Sequence, residues 1–288
     1  MKKKTSLIAM LAIVALAAHA QFSINISTGK TFRKDTIDQA VFIVQYEVDG
    51  CIDTLKKERF KETMMLEVGK KSSRFYSYTK YVSDSVLAAD IANNVSKEVM
   101  MEHAKQFGKS RLNEQTYKRY PVGKVTTLNE IAGDISRLRC EETEERPQWT
   151  LSADTATILG YICNKAECFF KGRRWTAWYS PEIPSGEGPW KLFGLPGLIL
   201  KAEDGEKHYT FTCAGIEQCR SYRPLLFNGK DYEPISRKAY DKIHERYHAD
   251  PVGFITGSMP NVSVTVQDQQ GNKTRNPMNI PYNPLERR

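Results

Sequence analysis

The chain has 288 residues, of which 40% are hydrophobic and 26% are charged, so its composition predicts a folded protein with a hydrophobic core and excludes a disordered one. Its formal net charge is +8, but three of those charges are the lysines at positions 2–4. The remaining basic residues are scattered along the chain. We therefore expect no nucleic-acid partner.

Residues 1–20 have the layout of a cleaved secretory signal. Lys2–Lys4 supply a positive start, Leu7–Ala17 form an uncharged apolar run, and Ala18–Ala20 end it with small residues at the two positions that a signal peptidase must accommodate. The apolar run is shorter than the roughly 20 residues of a membrane-spanning helix. We expect an exported protein, periplasmic or secreted, that begins at Gln21 and does not span a membrane after cleavage.

The first predicted elements of the mature chain are strands. Ala40–Val48 alternates between apolar and polar residues, which is typical of a half-buried strand in an antiparallel sheet. Arg59–Val68 and the aromatic-rich Ser73–Val82 are predicted to be the next two strands. From Ser85 to Phe107 the apolar period changes to that of a helix, with Gly108 as its stop.

The second half of the chain continues with strands and ends with a helix. Ala156–Phe170 is predicted as one long strand that turns at Lys171-Gly172 into a returning strand, Arg174–Tyr179. Asp204-Gly205 predicts a turn between two further strands. The other predicted elements are strands at 115–125, 135–140 and 262–267 and a helix at 236–249 that Ser236 caps and Pro251 ends.

This order of elements predicts an α+β fold that is mostly β, in which an antiparallel sheet carries one or two packed helices. Alternating β-α-β units are not indicated. The sequence contains no internal repeat and no clear linker, so we expect residues 21–288 to form one domain. Residues 270–288 are rich in proline and asparagine and are expected to be loosely held.

All six cysteines lie in the part of the chain that is expected to be exported. An even number in an oxidising compartment indicates disulfides, but six cysteines allow 15 pairings. Cys213 and Cys219 flank a segment of turn length and are predicted as a local pair, whereas Cys163 and Cys168 are expected on opposite faces of one strand. The disulfide candidates are Cys51, Cys140, Cys163, Cys168, Cys213 and Cys219.

A segment rich in proline, glycine and aromatic residues joins the two predicted hairpins. It contains Gly188–Phe193 followed by the run Gly194–Ile199, which reads Gly-Leu-Pro-Gly-Leu-Ile. That run, with similar patterns at 160–166, 177–184 and 282–286, resembles the GLPGLI family of secreted bacterial proteins. The resemblance implies export in a Gram-negative cell envelope and carries no catalytic residues. By analogy of fold alone it implies an open half-barrel like that of periplasmic lipoprotein carriers.

The same segment supplies the predicted binding surface, because proline and glycine stiffen the connection and its aromatic residues are bulky anchors. Core packing is the commoner role for aromatic residues on paired strands. The candidate binding residues are Trp178, Tyr179, Trp190, Phe193, Leu195 and Pro196.

A second motif, at residues 244–248, has the form H-E-x-x-H. On a helix it places His244 and His248 on one face, where they could hold zinc, with Glu245 to polarise a metal-bound water. The predicted helix is strongly polar and Pro251 ends it soon after the motif, so the motif also fits an exposed helix without metal.

Three functions follow from these features. The first is a non-enzymatic exported binding protein that needs no cofactor and whose partner is an envelope protein or a small apolar ligand. The second is a zinc-dependent hydrolase that uses residues 244–248. The third is a structural component of an outer-membrane complex. The sequence lacks a nucleophile elbow of the form G-x-S-x-G, which counts against a serine hydrolase.

Overall fold

The computed structural model describes residues 20–21, 34–108, 110–259, 267–268 and 279–287. The predicted signal peptide, apart from Ala20, lies outside these residues, as does nearly all of the predicted strand 262–267. The chain groups into two compact units. Of the described residues, the larger unit contains 34–108, 110–127, 141–228 and 283–287, and the smaller contains 20–21, 128–140, 229–259, 267–268 and 279–282.

Strands outnumber helices in the described residues. The strands are β1 (Ala20–Gln21), β2 (Asp35–Asp53), β3 (Glu58–Gly69), β4 (Ser73–Ser77), β5 (Gln115–Lys118), β6 (Lys124–Ile131), β7 (Ser136–Thr143), β8 (Thr150–Ile158), β9 (Tyr161–Phe170), β10 (Arg173–Ser180), β11 (Leu198–Asp204), β12 (Tyr209–Gln218), β13 (Pro224–Phe227), β14 (Glu233–Ile235) and β15 (Gln267–Asp268). The helices are α1 (Tyr78–Ala92), α2 (Lys97–Gln106), α3 (Arg237–Ala249) and α4 (Pro251–Ser258). The predicted mostly-β class is confirmed.

Antiparallel pairing organises the larger unit. Its strands follow the order β5-β4-β3-β2-β12-β11-β10-β9-β8, and β13 pairs with the start of β2. The long strand β2 is central because its alternation buries Val44, Tyr46 and Val48, and Tyr46 lies opposite Met64 of β3 and Cys213 of β12. The predicted antiparallel sheet is therefore confirmed in this unit.

The predicted long strand Ala156–Phe170 is instead a hairpin. Leu159 and Gly160 have φ angles of 51° and 83° and reverse the chain between β8 and β9. Two consecutive residues with positive φ match the twist of a tight hairpin turn, and glycine provides one of them without strain. The predicted turn at Lys171-Gly172, with φ angles of 50° and 74°, joins β9 to β10 in the same way.

The predicted strand Ser73–Val82 ends early. Only Ser73–Ser77 is extended, because the hydroxyl of Ser77 accepts a hydrogen bond from the Lys80 amide at 3.0 Å and caps α1. The single helix predicted from Ser85 to Phe107 is two helices. Asn94, with a φ of 51°, breaks the first, and the side chain of Ser96 caps the second.

The smaller unit contains a parallel strand pair and two helices. Strand β14 pairs with the first part of β7, where Glu233 lies opposite Leu138. Ser236 caps α3 as predicted. Pro251 ends α3 but also begins α4, since proline is well accommodated at the first position of a helix. Tyr240 of α3 and Ile255 of α4 pack into one buried cluster with Leu138.

Residues 283–287, which belong to the stretch 270–288 that was predicted to be loosely held, are fixed by contacts to the rest of the larger unit. In the larger unit, Leu285 and Glu286 are buried, and the carbonyl oxygens of Pro284 and Leu285 accept hydrogen bonds from the buried Arg173. Proline and asparagine content indicated a mobile tail, but these side-chain contacts fix the segment. Among the described residues, no helix is long and apolar enough to cross a membrane.

Candidate functional site

The connection between β10 and β11, residues 181–197, is a packed plug in the core of the larger unit. The ring of Trp190 lies 5.8 Å from that of Trp175 and 6.3 Å from that of Phe170, and it is 1% exposed. Trp190 has a φ of 51°, a region that bulky residues rarely adopt. Strain of this kind persists only where the surroundings fix it and is concentrated at functional sites.

The six predicted binding residues are mostly part of the core. Four of them are buried, Trp178 is half-buried and Pro196 is exposed. A ligand therefore has no access to a continuous aromatic surface made of these side chains. The buried ones are Tyr179, Trp190, Phe193 and Leu195.

A buried carboxylate holds the plug to the sheet. Glu187 contacts Lys118 at 2.9 Å and Arg119 at 2.5 Å, and it accepts a hydrogen bond from the Ser73 hydroxyl at 2.8 Å. Lys118 also donates to the Gly188 carbonyl at 2.6 Å. Burial opposes ionisation of Glu187, but the two cations outweigh it and lower its pKa to about 2.

An open cleft of about 470 Å³ lies between the plug and the neighbouring strand ends. The plug contributes Ser185–Glu187, Phe193 and Gly194, the end of β3 contributes Val68 and Gly69, and the segments after β5 and β7 contribute Arg119, Glu144 and Arg146. Arg119 after β5 and Arg146 after β7 thus bring two guanidinium groups to the cleft.

Local backbone geometry places both arginines at the cleft. Arg119 has a φ of 59°, its amide donates to the Glu144 carboxylate at 3.1 Å, and its Nε donates to the Lys71 carbonyl at 3.0 Å. Arg146 lies against Gly194 and donates to its carbonyl oxygen. Both guanidinium groups are therefore positioned by contacts to the chain.

The cleft is suited to binding an anion. A guanidinium group has five N–H donors, and within the described residues Arg119 uses two of them and Arg146 one. Planar donor pairs match carboxylate and phosphate groups. The lining contains neither histidine nor cysteine, and its carboxylates, Glu144 and Glu187, already bind Arg119.

The H-E-x-x-H motif lies on α3 as predicted, in the smaller unit. His244 is buried beside Tyr240, and its Nε2 lies 3.2 Å from the Asn129 side-chain nitrogen. Burial, followed by the neighbouring His248 and Arg237, lowers the pKa of His244 to about 3. The two histidine rings are 6.3 Å apart and Glu245 is exposed. Zinc at this motif stays a prediction.

Another cluster, in the larger unit, brings three potential metal ligands together. Side-chain atoms of Asp204, Glu206 and His208 lie within 4.8 Å of one another. Arg173 contacts Asp204 at 2.8 Å, and Arg287 contacts both Glu206 and His208. Because guanidinium donors already bind these atoms, the cluster is an ion-pair network, and we do not interpret it as a metal centre.

All six cysteines lie in the described part of the chain, and there none of them is bonded to another. The predicted local pair Cys213–Cys219 is wrong because the segment between them is strand and not turn: β12 continues to Gln218. An extended strand separates residues six positions apart by about 20 Å, whereas the Cα atoms of a disulfide lie within about 7 Å.

Sequence reasoning missed the four charged residues that build the cleft and its support. Each lies where local patterning is uninformative. Lys118 ends a short strand and Arg119 follows it, Arg146 follows an acidic run, and Glu187 lies between two glycines. A charged residue between two glycines was the one available indication. None of the four could be paired with its partner from sequence spacing alone.

Comparison with known proteins gives a short family match and distant structural likenesses. Residues 167–201 match the model of a family described as a protein of unknown function (Porph_ging). The structures of PNGF-II in the P21 and C2 space groups are 10% and 13% identical, with TM-scores of 0.46 and 0.48, and cover 70% and 73% of this chain. The chain spans about a third of PNGF-II, 32% and 33%.

A comparison with curated proteins gave no match. The matched segment, residues 167–201, contains the whole plug and the Gly194–Ile199 run. Over this segment the chain is similar to an uncharacterised family, which is consistent with its resemblance to GLPGLI proteins.

Proposed function

We propose that the protein is a non-enzymatic binding protein that works outside the cytoplasm, and that the cleft beside the plug binds a small ligand with a carboxylate or phosphate group. The observation that carries the proposal is the pair of arginines, Arg119 and Arg146, that separate chain segments bring to one open cleft. The signal-like residues 1–20 support the location.

The guanidinium donors that Arg119 and Arg146 leave unused among the described residues favour an anionic ligand over the apolar one expected from the aromatic residues. The cleft lining carries two positive charges, on Arg119 and Arg146, and two negative charges, on Glu144 and Glu187, and both carboxylates already bind Arg119. The apolar side chains of the plug are buried in the core and leave the polar groups at the cleft. Charge-assisted hydrogen bonds from a guanidinium group are about twice as strong as neutral ones.

Isothermal titration calorimetry tests this proposal. Inorganic phosphate and succinate serve as the two probes, and the wild type is compared with Arg119→Gln and with Arg220→Gln, an exposed arginine away from the cleft. We expect at least one probe to bind the wild type and the control equally, and to bind Arg119→Gln about tenfold more weakly. Failure of both probes to bind, or equal binding by all three proteins, would contradict the proposal.

A further inference from the structure

The segment Asn283–Arg287 lies in a groove of the larger unit that contacts its backbone at successive residues. The Tyr209 hydroxyl donates to the Asn283 carbonyl, and Arg173 donates to the Pro284 carbonyl at 2.6 Å and to the Leu285 carbonyl at 2.9 Å. The Arg287 amide donates to the Lys171 carbonyl at 2.9 Å. The segment, which bends at Leu285 and Glu286, is thus held by its main chain.

The residues that donate hydrogen bonds to these carbonyl oxygens, Arg173 and Tyr209, are held in place by contacts outside the segment. The side chains of Arg173 and Asp204 are each 1% exposed and form an ion pair at 2.8 Å. The second oxygen of Asp204 accepts a hydrogen bond from the Tyr209 amide at 2.7 Å. Because neither contact involves the segment, Arg173 and Tyr209 are held in place independently of it, which lowers the cost of binding.

Side-chain contacts select the residues of the segment. Leu285 packs into the main hydrophobic cluster, and Glu286 contacts the buried Lys191 at 2.7 Å. The Asn283 amide donates to the Cys51 carbonyl at 2.8 Å. At Gly172, a Cβ atom would lie 2.2 Å from the Arg287 carbonyl oxygen, so the groove requires glycine there. These contacts favour asparagine at position 283, leucine at position 285 and glutamate at position 286.

We propose that this groove is a peptide-recognition site for segments of the form Asn-Pro-Leu-Glu-Arg, and that residues 283–287 of a second copy of the chain can occupy it. The structure shows the site filled by the chain's own segment. The same segment from another copy would make the same contacts, since each of them is non-covalent and local to the groove. This proposal is independent of the anion cleft.

The test uses a fluorescently labelled peptide with blocked ends and the sequence of residues 282–287, with anisotropy as the readout. In the full chain, Leu285→Asp weakens the binding of the chain's own segment to the groove, because an aspartate side chain is not accommodated in the apolar cluster. We expect this variant to bind the peptide at least tenfold more tightly than the wild type, whose groove is occupied. A scrambled peptide should bind neither protein.

Two further variants keep the test decisive. Glu286→Lys releases the segment by placing a cation against Lys191 and replaces Leu285→Asp if that variant does not fold, as judged by circular dichroism. Adding Arg173→Lys to the released variant should abolish tight binding, since lysine cannot donate to two adjacent carbonyl oxygens in the same planar geometry. A folded released variant that binds neither peptide, or binds both equally, would overturn the proposal.

Discussion

Arg146 occupies the space that Gly194 leaves open by having no side chain. A Cβ atom on Gly194 would lie 2.4 Å from the Arg146 Nε, and the Arg146 guanidinium donates to the Gly194 carbonyl. Gly194 also has a φ of 94°, in the region that favours glycine. The first glycine of the Gly194–Ile199 run is therefore required both for the backbone conformation and for the position of a cleft arginine.

We accordingly expect Gly194→Ala to lower the free energy of unfolding by about 2 kcal/mol or more, from the unfavourable φ together with displacement of Arg146. Urea denaturation followed by tryptophan fluorescence measures this loss. Gly205→Ala is the matched control, because its Cβ would meet its nearest neighbour at 3.5 Å, an ordinary contact. A loss of equal size in both variants would show that Gly194 has no special role.

Glu187→Gln should destabilise the larger unit by about 3 kcal/mol at pH 7, because it leaves the buried Lys118 without its ionised partner. The pKa of Glu187 is lowered to about 2, below its ordinary value of 4.5. Its charge therefore contributes stability above pH 4.5, and this contribution is lost as the pH falls from 4.5 towards 2.

The difference in unfolding free energy between the wild type and Glu187→Gln should thus narrow between pH 5 and pH 2.5, as urea denaturation at several pH values would measure. Glu217→Gln, an exposed glutamate on β12, serves as the control and should change stability by less than about 0.5 kcal/mol. A difference that is independent of pH would mean that the charge of Glu187 is not what stabilises the plug.

His244 should remain neutral far below the usual pH. Burial lowers its pKa from 6.5 to about 3, so between these values the unfolded chain binds a proton that the folded chain does not. The stability of the smaller unit should therefore fall as the pH decreases from 6.5 towards 3. His244→Gln should make that dependence shallower.

NMR titration of the His244 ring protons measures this pKa directly. A midpoint near 6.5 would contradict the buried position of the ring beside Asn129. The same titration in the presence of zinc tests the H-E-x-x-H prediction, since metal binding to neutral imidazole would shift and broaden these signals. Signals that do not respond to zinc would count against a metal role for this helix.

Glu62 connects both ends of the α1–α2 segment to β3. Its carboxylate accepts hydrogen bonds from the Ser77 hydroxyl before α1, from the Ser110 hydroxyl at 2.5 Å, and from the Arg111 amide at 2.7 Å after α2. The helices themselves bury little, as Asp90 is the one buried residue of α1 and α2 has none. Glu62 thus anchors both ends of this segment to the sheet.

Removal of that anchor in Glu62→Ala should increase amide hydrogen exchange in α1 and α2 at least tenfold while the sheet strands remain protected. Glu102→Ala is the control, because Glu102 is exposed on α2 and pairs with Lys105 alone among the described residues, at 3.4 Å. Unchanged exchange in Glu62→Ala would mean that other contacts hold the helices.

The parts of the fold that the sequence predicted are those set by local patterning. Alternating apolar residues revealed β2, a Ser cap revealed α3, and a Lys-Gly pair revealed the turn after β9. The errors arose where a single residue overrode the pattern. Ser77 began a helix inside an aromatic-rich run, and Gly160 reversed a run of strand-like residues.

The site was less predictable because its partners are distant in sequence. The plug was found from its glycine and proline content, but its aromatic residues proved to be core, so the expected aromatic binding surface is not exposed. Glu187 and Lys118 are 69 positions apart, and Arg173 binds a segment more than 100 positions away. No periodicity or spacing rule connects such pairs, and only the folded chain shows them.

The most direct test of the central claim is native mass spectrometry of the mature protein purified from the extracytoplasmic fraction of its host, alongside the Arg119→Gln, Arg146→Gln double variant. We predict a chain that begins at Gln21 and retains a small acidic molecule in the wild type but not in the variant. An uncleaved chain, or a wild type and a variant that carry the same adduct or none, would contradict an exported protein with an anion-binding cleft.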